Sequence, residues 1–424
     1  MKIKVKEMSY EDVLALPKEK RFSPIRPSIL FRSLLKAVSA GELKDVGFTF
    51  TENGMEKLKD GEPCLILMNH SAFIDLKIAV TYFFPRPMNI VCTSDGFVGK
   101  KWLMRQLGCI PTRKFVTDLG LVRDIAYSVK KLRCSILMYP EASYSFDGTA
   151  TPIPPTVAKL AKSLGIPVVF VKTKGAFLRD PLYNGLRLRD VRVSADIEYL
   201  LSPSDFETMT ADEIDRVLTD RFSFDNFKDQ AEEGIKVSEP FRAEGLERVL
   251  YKCPNCGAEG RTVGHGTVLV CENCDKRYEL DEFGKMKALE GECEFSHIPD
   301  WYEWERKCVR EEILRGDYLL DIPVDICIMK GMKSLYRVGS GRLRHGSDGF
   351  LLTGCDGKLE YSQKPRASYS LYADYFWYEI GDMVCIGNGE MLYYCFPKDG
   401  SNIAAKTRLA AEELYKLSLG DARR

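Results

Sequence analysis

Residues 64–75 read Cys-Leu-Ile-Leu-Met-Asn-His-Ser-Ala-Phe-Ile-Asp. The apolar run 64–68 predicts a buried strand, and residues 73–84 predict a helix. His70 then follows a strand end, and Asp75 lies in the first helical turn, from which its carboxylate can reach back to the imidazole. This contact would fix the tautomer and leave the other ring nitrogen free as a general base. The pair contains no nucleophile, so the simplest chemistry is direct attack of a bound hydroxyl on an activated acyl group. The alternative interpretation is a capped helix with a polar histidine at its entrance.

Strand and helix patterns continue to alternate on both sides of this segment. The alternation predicts an α/β domain over residues 25–205, with a mixed, mostly parallel sheet flanked by helices. The predicted strands are 64–68, 88–93, 135–140, 167–172 and 191–199, and the predicted helices are 73–84, 99–107, 118–132 and 155–164.

The composition is that of an ordinary globular protein. Of the 424 residues, 45% are apolar and 29% charged, and Lys+Arg and Asp+Glu both number 61. This length predicts roughly two to four domains. The zero net charge argues against bulk attraction to nucleic acid.

The chain has neither a membrane-span pattern nor a signal-peptide pattern. No run approaches the roughly 18 consecutive apolar residues that a spanning helix needs, and the basic start Met1–Glu7 has no apolar core after it. We therefore expect a cytoplasmic protein that is peripheral on the inner face of the membrane.

The second half of the chain predicts four further parts. Residues 206–250 are charged and predict a helical connector, residues 251–288 a zinc ribbon, and residues 289–316 a linker helix. Residues 317–418 alternate short apolar segments with Gly, Asp and Asn turns, which predicts an antiparallel β-rich domain. Its several strands followed by one C-terminal helix resemble a pleckstrin-homology-like barrel. The sequence leaves open whether this barrel binds a lipid or a protein partner.

Four of the 14 cysteines form two Cys-x-x-Cys pairs separated by fourteen residues. Each pair can turn two thiolates toward one ion, and residues 262–270 supply a hairpin that brings the pairs together. Four thiolates suit tetrahedral Zn(II) in a closed, structural site. The predicted ligands are Cys253, Cys256, Cys271 and Cys274.

The residues around these cysteines favour a structural role for the zinc ribbon, in which it braces the neighbouring parts of the chain. Basic and acidic residues alternate across 252–287 without a one-sided basic stripe, so we expect no nucleic-acid partner. His265 lies in the hairpin and is not expected to be a ligand. Cys293 and Cys308 are expected to be buried thiols.

Three more segments follow the His-Asp pair in order. They are Gly-Cys-Ile-Pro-Thr-Arg-Lys at 108–114, Tyr-Pro-Glu-Ala-Ser-Tyr-Ser at 139–145 and Gly-Ile-Pro-Val-Val-Phe-Val at 165–171. With residues 69–75 they resemble the four ordered blocks of the glycerolipid acyltransferase family, which includes lysophosphatidic acid acyltransferases. The resemblance covers residues 25–205.

The resemblance implies roles for individual residues. His70 would be the general base and Asp75 its orienting partner. The donor would be acyl-CoA or acyl-ACP, the acceptor a lipid hydroxyl, and the pathway phospholipid synthesis. The basic residue that contacts the acceptor is Arg113 or Lys114. The predicted substrate-binding residues are Asn69, Arg113, Lys114, Glu141 and Ser143.

The third block departs from the family pattern Pro-Glu-Gly-Thr-Arg. Pro140 and Glu141 match, whereas Ala142, Ser143 and Tyr144 replace the glycine, threonine and arginine. The lost arginine makes a lysophospholipid as credible an acceptor as a glycerol phosphate. It also leaves open an alternative function, in which the chain is a non-enzymatic lipid-binding or scaffold protein with an acyltransferase fold. A nucleic-acid-binding zinc ribbon is a third and more remote option.

Two segments mix cations with large apolar residues, 28–36 and 99–105. Both could lie in a bilayer interface, with the cations among headgroups. Core-packed amphipathic helices with extended cationic side chains are the alternative.

Overall fold

A computed structural model describes residues 3–420, and within that range the chain forms three sheets with helices around them. The first sheet and its helices account for most of the first half. The elements of this half are β1 (Val5–Glu7), α1 (Tyr10–Ala15), α2 (Ile29–Asp45), β2 (Thr49–Asn53), β3 (Leu65–Met68), α3 (Ile74–Tyr82), β4 (Met88–Thr93), α4 (Lys101–Gln106), β5 (Cys109–Thr112), α5 (Leu119–Lys130), β6 (Ser135–Met138), α6 (Thr156–Leu164), β7 (Val168–Lys174), α7 (Ala176–Arg179) and β8 (Ser194–Leu201).

The first sheet is mixed and mostly parallel, as the sequence predicts. Its order is β2-β8-β7-β3-β6-β4-β5, and only the β7–β8 pairing is antiparallel. The predicted strands correspond to β3, β4, β6, β7 and β8. The two strands that the sequence pattern does not reveal are the edges: β2 is exposed along its length, and β5 contains Pro111, which only an edge strand tolerates.

The parallel strands bring the family blocks together. Because parallel strands end at the same edge of a sheet, the segments after β3, β4, β5 and β6 meet there. These segments carry, in order, His70, Asp95, Arg113 with Lys114, and Glu141.

Residues 206–250 are helical only in their first half. The helices are α8 (Asp205–Thr208), α9 (Ala211–Arg221) and α10 (Asn226–Glu233), and a single 3₁₀ turn at Leu246–Arg248 is the helical part of residues 234–250. The prediction of a helical connector is wrong after 233, because Gly234 ends α10 in the left-handed conformation and Pro240 opposes a new helix. Helix α9 packs its buried side chains on the first sheet's core.

The two Cys-x-x-Cys pairs flank the predicted hairpin, which is part of a four-stranded antiparallel sheet. Trp301 of the following helix is fully buried; its ring lies 4.9 Å from that of Tyr278, and its indole donates to Lys252 O at 2.9 Å. This contact joins the sheet to the helix. The elements are β9 (Thr262–His265), β10 (Val268–Cys271), β11 (Arg277–Leu280), β12 (Met286–Ala288) and α11 (Ile298–Arg315).

The C-terminal unit, residues 318–418, is an antiparallel sheet closed by one helix. The strand order is β16-β15-β14-β13-β19-β18-β17, and β1 from the other end of the chain joins β14 in parallel. The elements are β13 (Leu320–Met329), β14 (Leu335–Gly346), β15 (Gly349–Gly354), β16 (Leu359–Gln363), β17 (Tyr372–Trp377), β18 (Gly381–Gly387), β19 (Leu392–Pro397) and α12 (Ala404–Ser418). The pleckstrin-homology-like barrel stays a prediction.

Among residues 3–420, no helix combines the length and the apolarity needed to cross a bilayer.

His345 is a buried histidine whose partners the sequence does not identify. Its ring stacks on Phe350 at 3.7 Å, and its Nδ1 lies 2.9 Å from the hydroxyl of Tyr318. Burial lowers the pKa of His345 to about 3. The folded protein therefore holds this imidazole neutral at pH values where the unfolded chain protonates it.

We expect stability to fall as the pH drops from about 6.5 to about 3, because the unfolded chain binds the extra proton. The contribution of one such group approaches about 1.4 kcal/mol per pH unit. Urea unfolding at several pH values should therefore give a shallower pH dependence for His345→Gln. The exposed His265 supplies the control His265→Gln, which should keep the original slope. Equal slopes for wild type and His345→Gln would contradict the prediction.

Candidate active site

His70 and Asp75 meet as the sequence predicts. His70 Nδ1 lies 3.5 Å from Asp75 Oδ2, and the Asp75 side chain is fully buried. Asp75 Oδ2 also accepts the backbone N–H groups of Ser71 at 2.7 Å and Ala72 at 3.0 Å, and Oδ1 accepts the hydroxyl of Thr173 at 3.0 Å. These donors fix the carboxylate, so it faces the imidazole in one orientation.

Two tyrosines enclose the imidazole. The ring of Tyr139 stacks at 4.1 Å, and the ring of Tyr144 lies tilted at 4.4 Å. Burial lowers the pKa of His70, Asp75 opposes that shift, and the charge of Lys114 adds to it. The folded site therefore favours the neutral imidazole, which can accept a proton. About 23% of the side chain stays exposed.

Glu141 ties the histidine loop to the third block. Its two oxygens accept the backbone N–H of His70 at 2.9 Å and that of Thr151 at 2.7 Å. Burial raises the pKa of Glu141 to about 8, against these two hydrogen bonds. Asn69 has a similar role toward β7, because its side chain accepts from the N–H of Thr173 at 2.7 Å and donates to the carbonyl of the same residue at 3.2 Å.

The two second-block cations, Lys114 and Arg113, have different surroundings. The Lys114 ammonium lies over the ring of Tyr372 at 4.1 Å, and its charge lowers the pKa of His70. Burial lowers the pKa of Arg113, and the charge of Asp118 opposes that shift. Lys114 is therefore the second-block cation whose charge acts on the pKa of the imidazole.

The third block contains two further informative positions. Ala142 has a φ of 60°, in the left-handed region that glycine adopts without steric cost. This conformation explains why a glycine fits the family pattern here. The hydroxyl of the buried Ser143 has no hydrogen-bond partner among residues 3–420.

The C-terminal unit covers this edge of the first sheet. Tyr372 Oη donates to Asp95 Oδ2 at 2.7 Å, and Ser368 Oγ donates to Phe115 O at 2.9 Å. From α12, Arg408 donates to Thr151 Oγ1 at 3.0 Å. These residues were not predicted for the site, since no local sequence signal links positions more than 250 residues apart.

Comparison with known proteins identifies the domain that carries these residues. Residues 49–173 match the family model Acyltransferase. The chain contains an acyltransferase-family domain. The resemblance based on the ordered blocks is thereby confirmed for this segment.

One similar solved structure is the 1-acyl-sn-glycerophosphate (LPA) acyltransferase PlsC from Thermotoga maritima. It is 15% identical, and the match covers 48% of this chain and 79% of that chain with a TM-score of 0.38. A comparison with curated proteins gives no match.

Outside the acyltransferase domain, the four paired cysteines converge. Their sulfurs all lie within 4.8 Å of one another, and Cys253–Cys274 and Cys256–Cys271 are each 3.8 Å apart. A tetrahedron with metal–sulfur bonds of about 2.3 Å has edges of about 3.8 Å. The four thiols therefore fit one metal ion. Cys293 and Cys308, expected to be buried, are half-buried.

Proposed function

We propose that this protein transfers a fatty acyl group from an acyl thioester, acyl-CoA or acyl-ACP, to a hydroxyl of a lysophospholipid or glycerol-phosphate-like acceptor. The observation that carries the proposal is the His70–Asp75 pair, 3.5 Å apart, within an acyltransferase-family domain. A protein that only binds lipid has no need of a neutral imidazole backed by a fixed carboxylate.

In the proposed reaction, His70 Nε2 removes the proton of the acceptor hydroxyl as its oxygen attacks the thioester carbonyl. Asp75 holds the Nδ1–H tautomer and stabilises the imidazolium that forms. When the tetrahedral intermediate collapses, the C–S bond breaks and the thiolate takes the proton from His70. The products are the acylated acceptor and the free thiol, and His70 returns to its neutral form.

The remaining predicted residues divide into two groups. Lys114 and the hydroxyl of Ser143, which has no hydrogen-bond partner among residues 3–420, support direct contact with the acceptor, and Arg113 is the alternative cation. Asn69 and Glu141 bond to backbone groups, so we infer that they act on substrate by holding the loops.

We also propose peripheral contact with the membrane, on the cytoplasmic inner face. The segments 28–36 and 99–105 expose large apolar side chains, with Leu30 at 72% and Trp102 at 68% exposure. Phe31 and Trp102 are in edge contact at 5.9 Å, so α2 and α4 present one continuous surface. Such a surface fits a bilayer interface better than the core-packed alternative.

His70→Ala should abolish acyl transfer while leaving the fold intact, because His70 Nε2 is the group that removes the acceptor proton in the proposed reaction. The measurement is transfer of labelled acyl groups from acyl-CoA and acyl-ACP to lysolipids and glycerol phosphate, with thermal melting as the control for folding. A folded variant with the wild-type rate would contradict the mechanism. Folded wild type without product from any donor and acceptor would favour the non-enzymatic scaffold.

The same assay carries a pH test. Because burial lowers the pKa of His70, the acid limb of kcat/KM should fall below the value of about 6.5 for a free imidazole. In Asp75→Asn the limb should move to still lower pH, since the carboxylate that raises this pKa is gone, and the rate should fall by roughly 10²–10⁴. An acid limb that moves upward would contradict the assigned pair.

We propose that the four clustered cysteines hold one structural Zn(II). The purified protein should contain one equivalent of zinc by elemental analysis, and Cys253→Ser should lose it and lower the melting temperature, because four thiolates close the coordination shell. Cys308→Ser is the matched control, since that thiol lies outside the cluster, and it should keep the metal. Full zinc content in Cys253→Ser would contradict the assignment.

A further inference from the structure

The third-block loop, residues 139–151, bonds to both backbone polar groups of His70. Glu141 accepts the N–H of His70 at 2.9 Å, and the N–H of Ser145 donates to the carbonyl of His70 at 3.2 Å. The ring of Tyr144 from the same loop lies 4.4 Å from the imidazole. The position of the imidazole therefore depends on the conformation of this loop.

Arg408, a residue of α12, contacts the third-block loop at two points. Its Nη2 donates to Thr151 Oγ1 at 3.0 Å, and its guanidinium lies over the ring of Phe146 at 4.4 Å. The backbone N–H of Thr151 donates in turn to the second oxygen of Glu141 at 2.7 Å. Thr151 and Glu141 thus connect the guanidinium to the backbone of His70 by hydrogen bonds.

The position of Arg408 is fixed by buried partners within the C-terminal half of the chain. The residue is 5% exposed, and its Nε donates to Glu412 Oε1 at 3.2 Å. Glu412 also accepts from Arg306 at 2.8 Å and from Ser370 at 2.6 Å, so two guanidinium groups share this carboxylate. Arg408 Nη1 is buried and has no hydrogen-bond partner among residues 3–420. Nε and Nη2 are therefore the groups whose hydrogen bonds orient the guanidinium.

We propose that Arg408 is a positioning residue for acyl transfer, which holds the third-block loop through Thr151 and so keeps the imidazole of His70 where it can take the acceptor proton. A displacement of about 1 Å at a reacting group can cost roughly a hundredfold in rate. Arg408 acts through the loop and touches no substrate in this proposal. The inference rests on the proposed acyl transfer and adds the C-terminal helix to the parts that the reaction requires.

The test compares kcat and KM of the full-length wild type with those of Arg408→Lys. Lysine keeps a positive charge beside Glu412, but its single ammonium does not reproduce the planar fork that bonds to Glu412 and Thr151 together. We expect kcat to fall by about tenfold or more and KM for the acceptor to stay within about twofold, because the side chains proposed to contact the acceptor are unchanged. Rates are measured well below the melting temperature of each variant, so that unfolded protein does not lower them.

Two further variants isolate the bond to the loop. Thr151→Val removes the acceptor of the same hydrogen bond and should lower kcat to a similar extent, which also keeps the test decisive if Arg408→Lys does not fold. In the double variant the two losses should not multiply, because each change removes the same bond. Arg310→Lys is the matched control: Arg310 pairs with Glu413 of α12 at 3.0 Å, and this variant should keep the wild-type kcat.

Backbone amide exchange separates positioning from a general loss of stability. In Arg408→Lys the N–H groups of His70 and Ser145 should exchange faster than in the control variant, because the loop to which they bond is released. The N–H of Lys252, which donates to Glu305 outside the site, should stay as protected as in the control.

The outcomes distinguish this inference from the proposed function. Wild-type kcat in folded Arg408→Lys or Thr151→Val, losses that multiply in the double variant, or equal quickening of all three amides overturns the positioning role and leaves acyl transfer standing. Wild-type protein that transfers an acyl group to no acceptor overturns the proposed function and the positioning role with it.

Discussion

The carboxyl group of Glu141 is the contact on which the site depends. It accepts the N–H of His70 with one oxygen and the N–H of Thr151 with the other, and it is completely buried. Leaving either N–H unpaired in the interior would cost about 1–3 kcal/mol. The loop that carries the histidine and the loop of the third block are therefore held as one piece.

This connection continues into the C-terminal unit. Thr151 accepts a hydrogen bond from Arg408, Arg408 pairs with Glu412, and Glu412 also pairs with Arg306 of α11 at 2.8 Å. Burial of these charges is offset only while each keeps its partner. The C-terminal helix therefore helps to hold the loop that carries His70, and β17 supplies the Tyr372 ring over which the Lys114 ammonium lies.

Local sequence signals predicted the parts of the site that lie close together in the chain. His70 with Asp75, and each Cys-x-x-Cys pair, are set by spacings of five residues or fewer, and the strand and helix around them fix their geometry. The central strands could be predicted because they are continuously apolar. The edge strand β2 could not, since an exposed strand shows no buried face.

Local sequence signals could not predict contacts between segments that are far apart in the chain. The contact of Lys114 with the ring of Tyr372 depends on how two units dock, which no spacing encodes. For the same reason no local pattern indicated a partner for His297, which lies 2.7 Å from Asp225. The replacement of the third-block arginine by Tyr144 was visible in the sequence, but the position of its ring, 4.4 Å from that of His70, was not.

The most direct test of the account is backbone amide exchange at His70 and Thr151 in Glu141→Gln. A glutamine amide offers one acceptor oxygen where the carboxyl group offers two, so one of the two N–H groups loses its bond, and exchange there should quicken by about tenfold or more. Glu305→Gln is the matched control, since that buried acid accepts the N–H of Lys252, outside the site. Protection of both amides at the wild-type level in Glu141→Gln would contradict the claim that this carboxyl group holds the loop that carries His70.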